Sequence, residues 1–205
     1  MTRTAIEIYV SLMTTIRNRL DLIDTINNTE GNDFSRAETA AFHGRKVVEG
    51  IAFGCLVSIG NSIKNIPRDA KGQWNAEIIL KSLKSKNITS FPSPSLIRKP
   101  TAIEQKNENV AAVVEGIPER RISPDDLISI YKSMHPWLHE INPYTEPDRD
   151  NFYAKNGKSL WGNMNRLNQF IEKHFIAISG EGFFCILRDD EDDTTKVVSL
   201  SRPGP

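Results

Sequence analysis

Residues 34–63 constrain the fold more than any other stretch of the chain. Phe42, Val47, Val48, Ile51, Cys55, Leu56 and Ile59 recur at three- and four-residue steps, the spacing of one helical face. Ser35-Arg36-Ala37-Glu38 has the pattern of a capping box, and Phe34 ahead of it suits a hydrophobic staple. A helix of about 28 residues at about 1.5 Å each is about 42 Å long, which suits the central member of a bundle. Gly44, Gly50 and Gly54 lie inside it. Each interior glycine costs about 1 kcal/mol against alanine, so close packing must offset the loss. Gly50, Gly54 and Ser58 share a face at i,i+4 spacing, which predicts a neighbouring element pressed against that smooth strip.

Other segments supply the neighbours. Ile6, Tyr9, Leu12, Met13, Ile16, Leu20 and Ile23 predict a first amphipathic helix over residues 3–27. A third helix is expected near residues 74–84, with Trp74, Ile78 and Leu80 as its stripe. Pro92 and Pro94 force extended geometry on the residues before them, so residues 90–95 read as a strap anchored by Phe91. Residues 96–103 and 110–114 suit a hairpin, with helix as the competing reading for the second part. Ser123-Pro124-Asp125-Asp126 starts another helix: a cap, proline at the first position and two acids at the positive end of the dipole. Pro136 should end or kink it. Leu160, Trp161, Met164, Leu167, Phe170, Ile171 and Phe175 make the last helical stripe. From Ile176 the period changes to two, giving strands at residues 182–188 and 194–200 around the acidic run Asp189-Asp190-Glu191-Asp192-Asp193.

The expected fold is therefore mainly α, α+β in detail. It is a helical bundle over residues 1–175, with a strap and possible hairpin at 88–122, and a C-terminal β-hairpin over 176–205 packed on the bundle. Lys+Arg and Asp+Glu both number 26 and balance to +0, so nothing suggests a dominant non-specific grip on nucleic acid. Cys55 and Cys185, far apart in apolar runs, read as reduced core thiols of a cytoplasmic protein. The N-terminal apolar residues are interrupted by Glu7, Ser11, Arg17 and Arg19, unlike a signal peptide. Residues 47–63 are too short and polar for a membrane span.

Arg36 and His43 stand seven positions apart, about two turns, and share a helical face. This pair resembles the R-x(4–6)-H signature of the HEPN family of helical bundles. The resemblance implies a dimeric, metal-independent ribonuclease of bacterial toxin–antitoxin or antiviral systems. In it the histidine would be general acid or base near a ribose 2′-hydroxyl, and the arginine would stabilise phosphate charge. Ala37 stands where active members usually carry a polar residue, and the motif opens the second helix rather than a later one.

A second pattern joins Arg45 and Glu49 of the long helix with Leu138-His139-Glu140-Ile141-Asn142-Pro143-Tyr144. It resembles a segment of uncharacterised bacterial proteins and implies no activity. Physically, Arg45 and Glu49 form an i,i+4 pair, and if buried they should hold a polar network with His139 or Tyr144. The candidate binding residues are thus Arg45, Glu49, His139, Asn142 and Tyr144.

Metal and cofactor chemistry are not assigned. His135 and His139 have zinc-pair spacing, but Pro136 occupies the place where a metalloprotease needs glutamate. The acidic run lacks the oxygen spacing of a calcium loop and reads as a solvated hairpin tip. Gly180-Glu181-Gly182 lacks the helix that a phosphate cradle requires. Trp74, Trp137 and Trp161 read as core residues. The leading functional expectation is a bacterial or phage-related interaction or regulatory protein, homodimeric, with a possible protein partner. The alternative is the ribonuclease, with RNA as substrate.

Overall fold

The computed structural model describes residues 3–59, 72–85, 90–108 and 110–200. The predicted extension of the long helix to Ile63, the turn at Pro67 and Asp69, and the terminating Pro203-Gly204-Pro205 lie outside the described residues. The fold is α+β. The α-helices are α1 (Ala5–Asn28), α2 (Asp33–Ser58), α3 (Ala76–Ser85), α4 (Ala102–Glu108), α5 (Pro124–Ser133) and α6 (Arg149–Ile171). The strands are β1 (Ser93–Arg98), β2 (Val113–Gly116), β3 (Lys173–Ile178), β4 (Glu181–Ile186) and β5 (Lys196–Leu200). They form one antiparallel sheet in the order β2-β1-β3-β4-β5. Among the described residues, no helix is long and apolar enough to cross a membrane.

The α1 and α2 helices form the main seam. Tyr9, Met13, Ile16, Leu20 and Ile23 are all buried on the inner face of α1. Their partner surface on α2 is the smooth strip: a Cβ at Gly50 would lie 2.9 Å from Ile16, and one at Gly54 would lie 3.1 Å from the Tyr9 ring. Gly44 faces elsewhere, toward Met164 of α6 and Met134 after α5. α1 starts with a capping box: Thr4 Oγ1 accepts from the Glu7 amide, and the Glu7 carboxylate accepts from the Thr4 amide.

Several local expectations need correction. The cap of α2 is Asn32, whose Oδ1 accepts from the Ser35 amide at 3.0 Å. Ser35 therefore sits inside the first turn, and Phe34 is a buried helical residue stacked near Trp137 and Phe152. α3 starts after Trp74, which is 66% exposed, because Asn75 Oδ1 caps the Glu77 amide. Its buried face is Ala76, Ile79, Leu80 and Leu83, with Ile78 exposed. α6 starts at Arg149, well before Leu160, because Asp148 caps the Asn151 amide at 2.8 Å. The polar run that hid this start has its charged residues in solvent. Phe175 belongs to β3, since the helix ends at Ile171.

The largest correction concerns the strap. Residues 93–98 are a sheet strand, with Ser93 and Pro94 opposite Phe175 and His174, and Ser95 to Arg98 opposite β2. The extended geometry that proline enforces is also strand geometry, and the Pro94 carbonyl still accepts from the Ile117 amide. Phe91 does anchor the approach, with its ring 5.6 Å from that of Phe170. The β1–β2 ladder overlaps the expected hairpin only at residues 96–98 and 113–114; Ala102 and Ile103, expected in its first strand, belong to α4, which connects the two strands. Pro136 acts as predicted: α5 ends at Ser133, and His135–Leu138 is a 3-10 turn. β3 and β4 turn through Ser179 and Gly180, both at positive φ (55° and 89°), as a two-residue type I′ hairpin requires.

The helices cover one face of the sheet. His174, Ile176, Ile178, Phe183 and Cys185 alternate inward and are buried. His174 makes the deepest polar contact. Its Nδ1–H donates to the Ile171 carbonyl at 2.8 Å, which leaves Nε2 to accept from the Tyr9 hydroxyl at 2.7 Å. Both residues are 0% exposed. At the far end, Arg17 pairs with Asp193, Lys173 with Asp190, and Lys196 with Asp189 and Asp192. The acidic run is therefore charge-compensated as well as solvated.

Candidate functional site

The densest polar cluster lies where α2, α3, α5 and the 3-10 turn meet. Glu49 is only 5% exposed, because three helices crowd the α2 face that carries it. Lys46 Nζ donates to its Oε2 at 2.7 Å, Arg45 lies 3.4 Å from Oε1, and the Tyr131 hydroxyl donates to Oε1 at 3.3 Å. The Arg45 guanidinium also stacks 4.2 Å from the centre of the Tyr131 ring. Glu77, in the first turn of α3, bridges Lys81 and Lys132 nearby. Burial raises the Tyr131 phenol above its ordinary value.

His135 completes the cluster, its ring 5.3 Å from Tyr131 and nearly perpendicular to it. Burial, then the charges of Arg45 and His139, hold its imidazole below the ordinary value. Its Nε2 is buried without a hydrogen-bond partner among the described residues. The predicted Arg45–Glu49 pair is thus present and buried, but Tyr131 and His135 complete it. His139 follows the end of the 3-10 turn and is exposed, so it does not share an α-helical face with His135. Tyr144 is 97% exposed, and Asn142 caps the local turn by accepting from the Tyr144 amide.

Chemically, the cluster is a carboxylate neutralised by two cations and a phenol. Such an arrangement pins α2 to α5, and the Glu77–Lys132 pair ties α3 to α5 beside it. Glu49→Ala leaves Arg45 and Tyr131 without their acceptor and is expected to cost about 2 kcal/mol, because Arg45 and Lys46 can still reach water. Urea denaturation of the variant checks this, and an unchanged midpoint would remove the pin from the account.

Arg36 and His43 have different surroundings. Arg36 closes the α1–α2 turn by donating to the Asn27 and Thr29 carbonyls and pairing with Asp33. His43 instead meets Arg19 of α1, whose Nη1 lies 3.2 Å from its Nδ1. An arginine can only donate, so Nδ1 accepts and the imidazole proton sits on Nε2. Burial, and then the Arg19 charge, lower the affinity of His43 for a second proton. Phe42 stands against the His43 ring at 5.4 Å and is 46% exposed. Sequence reasoning missed Arg19, because its pairing with His43 crosses between helices and leaves no local spacing signal.

The sheet face opposite the helices is the other apolar feature, and it is partly covered within the chain, since Phe184 on it is only 2% exposed. Phe175, Phe184 and Val198 are direct cross-strand neighbours on it, as are Gly182 and Leu200, and Ile97 and Val114. The Phe175 ring lies over Gly182, where a Cβ would come within 3.0 Å of it. Val114, Phe175, Ala177, Gly182 and Leu200 line a concavity of about 1040 Å³. Comparison with family models, with curated proteins and with solved structures finds no match to this chain.

Proposed function

We propose that this chain is an interaction or regulatory protein whose working surface is the helix-free face of its sheet. One observation carries the reading. An antiparallel sheet with a single layer of helices should alternate apolar inward and polar outward. Here the outward positions include Phe175, Ala177, Val198, Leu200, Ile97 and Val114, so the sheet is apolar on both sides. Val198 and Ile97 are 46% and 42% exposed there. The strongest polar groups, by contrast, are engaged inside the chain: Glu49 with its cations, Arg36 with two carbonyls, His174 with Tyr9. In this reading α2 is the centre of a HEPN-like bundle, β4 and β5 are its C-terminal hairpin, and the setting is cytoplasmic.

A second reading has its own support. In a metal-independent ribonuclease, His43 would act as acid or base at a ribose 2′-hydroxyl. The Arg19–His43 contact favours it, with Arg19 beside the imidazole and exposed Phe42 offering a stacking surface for a base. Arg36 would then hold the turn rather than the phosphate. Incubation with total RNA in EDTA separates the readings. The interaction protein leaves RNA intact at high protein concentration; cleavage that disappears in His43→Ala would replace it with the enzyme.

A further inference from the structure

We propose that Arg45, His135 and Lys132 form a binding site for a phosphate dianion, free or at the end of a small molecule. The site uses none of the sheet-face residues and so goes beyond the interaction reading. It starts from a buried atom. Among the described residues, Arg17 Nε, Arg36 Nε, Arg188 Nη2 and His135 Nε2 are buried without a hydrogen-bond partner. The three guanidiniums are each paired with an aspartate, so their charge is already met. His135 has only its ring contact with Tyr131. A buried polar nitrogen whose whole side chain lacks a partner calls for a group that completes it.

Arg45 supplies the second donor. Its Nε lies 3.4 Å from Glu49, while Nη1 and Nη2 donate to no described residue. The guanidinium carbon is 4.2 Å from the centre of the Tyr131 ring, and the His135 ring is 5.3 Å from it. Both groups therefore border one aromatic ring, and that ring is fully buried and fixed. A tetrahedral anion, with each oxygen about 2.8 Å from its donor, suits two such neighbours on different elements. Lys132, beside them on α5, is half-exposed and stands at the rim.

Charge selects a dianion. Arg45, Lys46, Lys81 and Lys132 stand against only Glu49 and Glu77, in a chain whose formal total is +0. The local positive excess matches the charge of about −2 on a phosphate monoester. The surroundings of His135 show the same excess. Burial, then the charges of Arg45 and His139, disfavour its protonated form, with Lys132 adding to them and Glu77 alone opposing. A bound dianion reverses that balance and raises the proton affinity of His135.

Nuclear magnetic resonance of the histidine imidazoles of the full chain tests this with inorganic phosphate, at an ionic strength held by sodium chloride. His135→Asn identifies the His135 resonance. That resonance is expected to shift with a Kd of about 1 mM or tighter, while the His43 resonance stays in place. Arg45→Gln should weaken binding about tenfold and Lys132→Gln about threefold. Lys132 is half-exposed, so its variant keeps the fold even where Arg45→Gln does not. Phenyl phosphate binding more tightly than inorganic phosphate assigns the site to a monoester, and the reverse order assigns it to the free ion. Dimethyl phosphate, with one charge, should bind about tenfold more weakly than either. Sulfate, which stays a dianion, should raise the proton affinity of His135 about threefold. No shift at His135 up to about 50 mM phosphate, a shift at His43 instead, or equal affinity in wild type and Lys132→Gln overturns the site. None of these failures touches the interaction reading, which the RNA assay decides.

Discussion

Gly54→Leu is expected to destabilise the protein by about 3 kcal/mol or more, at the upper end for overpacking a close-packed core. A Cβ at this position already lies 3.1 Å from Tyr9 Cε2 and 3.3 Å from Met13 Cε. The remaining leucine atoms have nowhere to go, because the Tyr9 ring cannot swing aside. Its hydroxyl is held at 2.7 Å by His174, which is itself fixed to the Ile171 carbonyl. Overpacking thus spreads from one helix pair into the sheet. Gly54→Ala is a useful control: its gain in helix propensity of about 1 kcal/mol opposes the tight contact, leaving a small net change. Thermal and urea melts of both variants check the pair. A Gly54→Leu protein that melts like the wild type would show that the seam does not confine Tyr9.

The second large effect is with pH. Burial lowers the His174 imidazole from its ordinary 6.5 to about 4. In that interval the unfolded chain binds a proton at this site and the folded chain does not. Stability is therefore fully present above pH 6.5 and falls as pH drops toward 4, where the folded form also protonates and the deficit levels off. The difference amounts to about 3 kcal/mol at about 1.4 kcal/mol per pH unit, a large share of a domain's usual margin of about 5–15 kcal/mol. Tyr9→Phe with His174→Leu replaces the Tyr9–His174 pair together and should remain folded at neutral pH, because the only partner lost to a remaining group is the donor to the Ile171 carbonyl. Urea midpoints of wild type and double variant, compared at neutral and acidic pH, isolate this site from the carboxylates. Parallel losses in the two proteins would contradict the assignment.

What could be read from the sequence was local. The α1 stripe, the Ser123 cap, the stop at Pro136 and the close approach at Gly50 and Gly54 each follow from residues a few positions apart. The errors came where distant residues decide. Residues 93–98 become a strand because β3, some eighty positions later, offers a ladder. The start of α6 presents Phe152 and Tyr153 to Phe34 and Trp137, but the polar residues around them masked that short stripe, and its cap at Asp148 was the clearer sign. In the candidate site, Arg45 and Glu49 were legible as an i,i+4 pair. Tyr131 and His135 were not, because their approach depends on how α5 crosses α2. Arg19 beside His43 and Tyr9 beside His174 are likewise products of packing, with sequence separations of 24 and 165. The outward apolar positions of the sheet were visible as a mixed run of residues, yet their significance needs the register that assigns each to a face.

Incubation with total RNA in EDTA tests the central claim most directly. The interaction reading predicts intact RNA at high protein concentration, for the wild type and His43→Ala alike. Cleavage by the wild type that disappears in His43→Ala would contradict it and move the function to the surface around Arg19, Phe42 and His43.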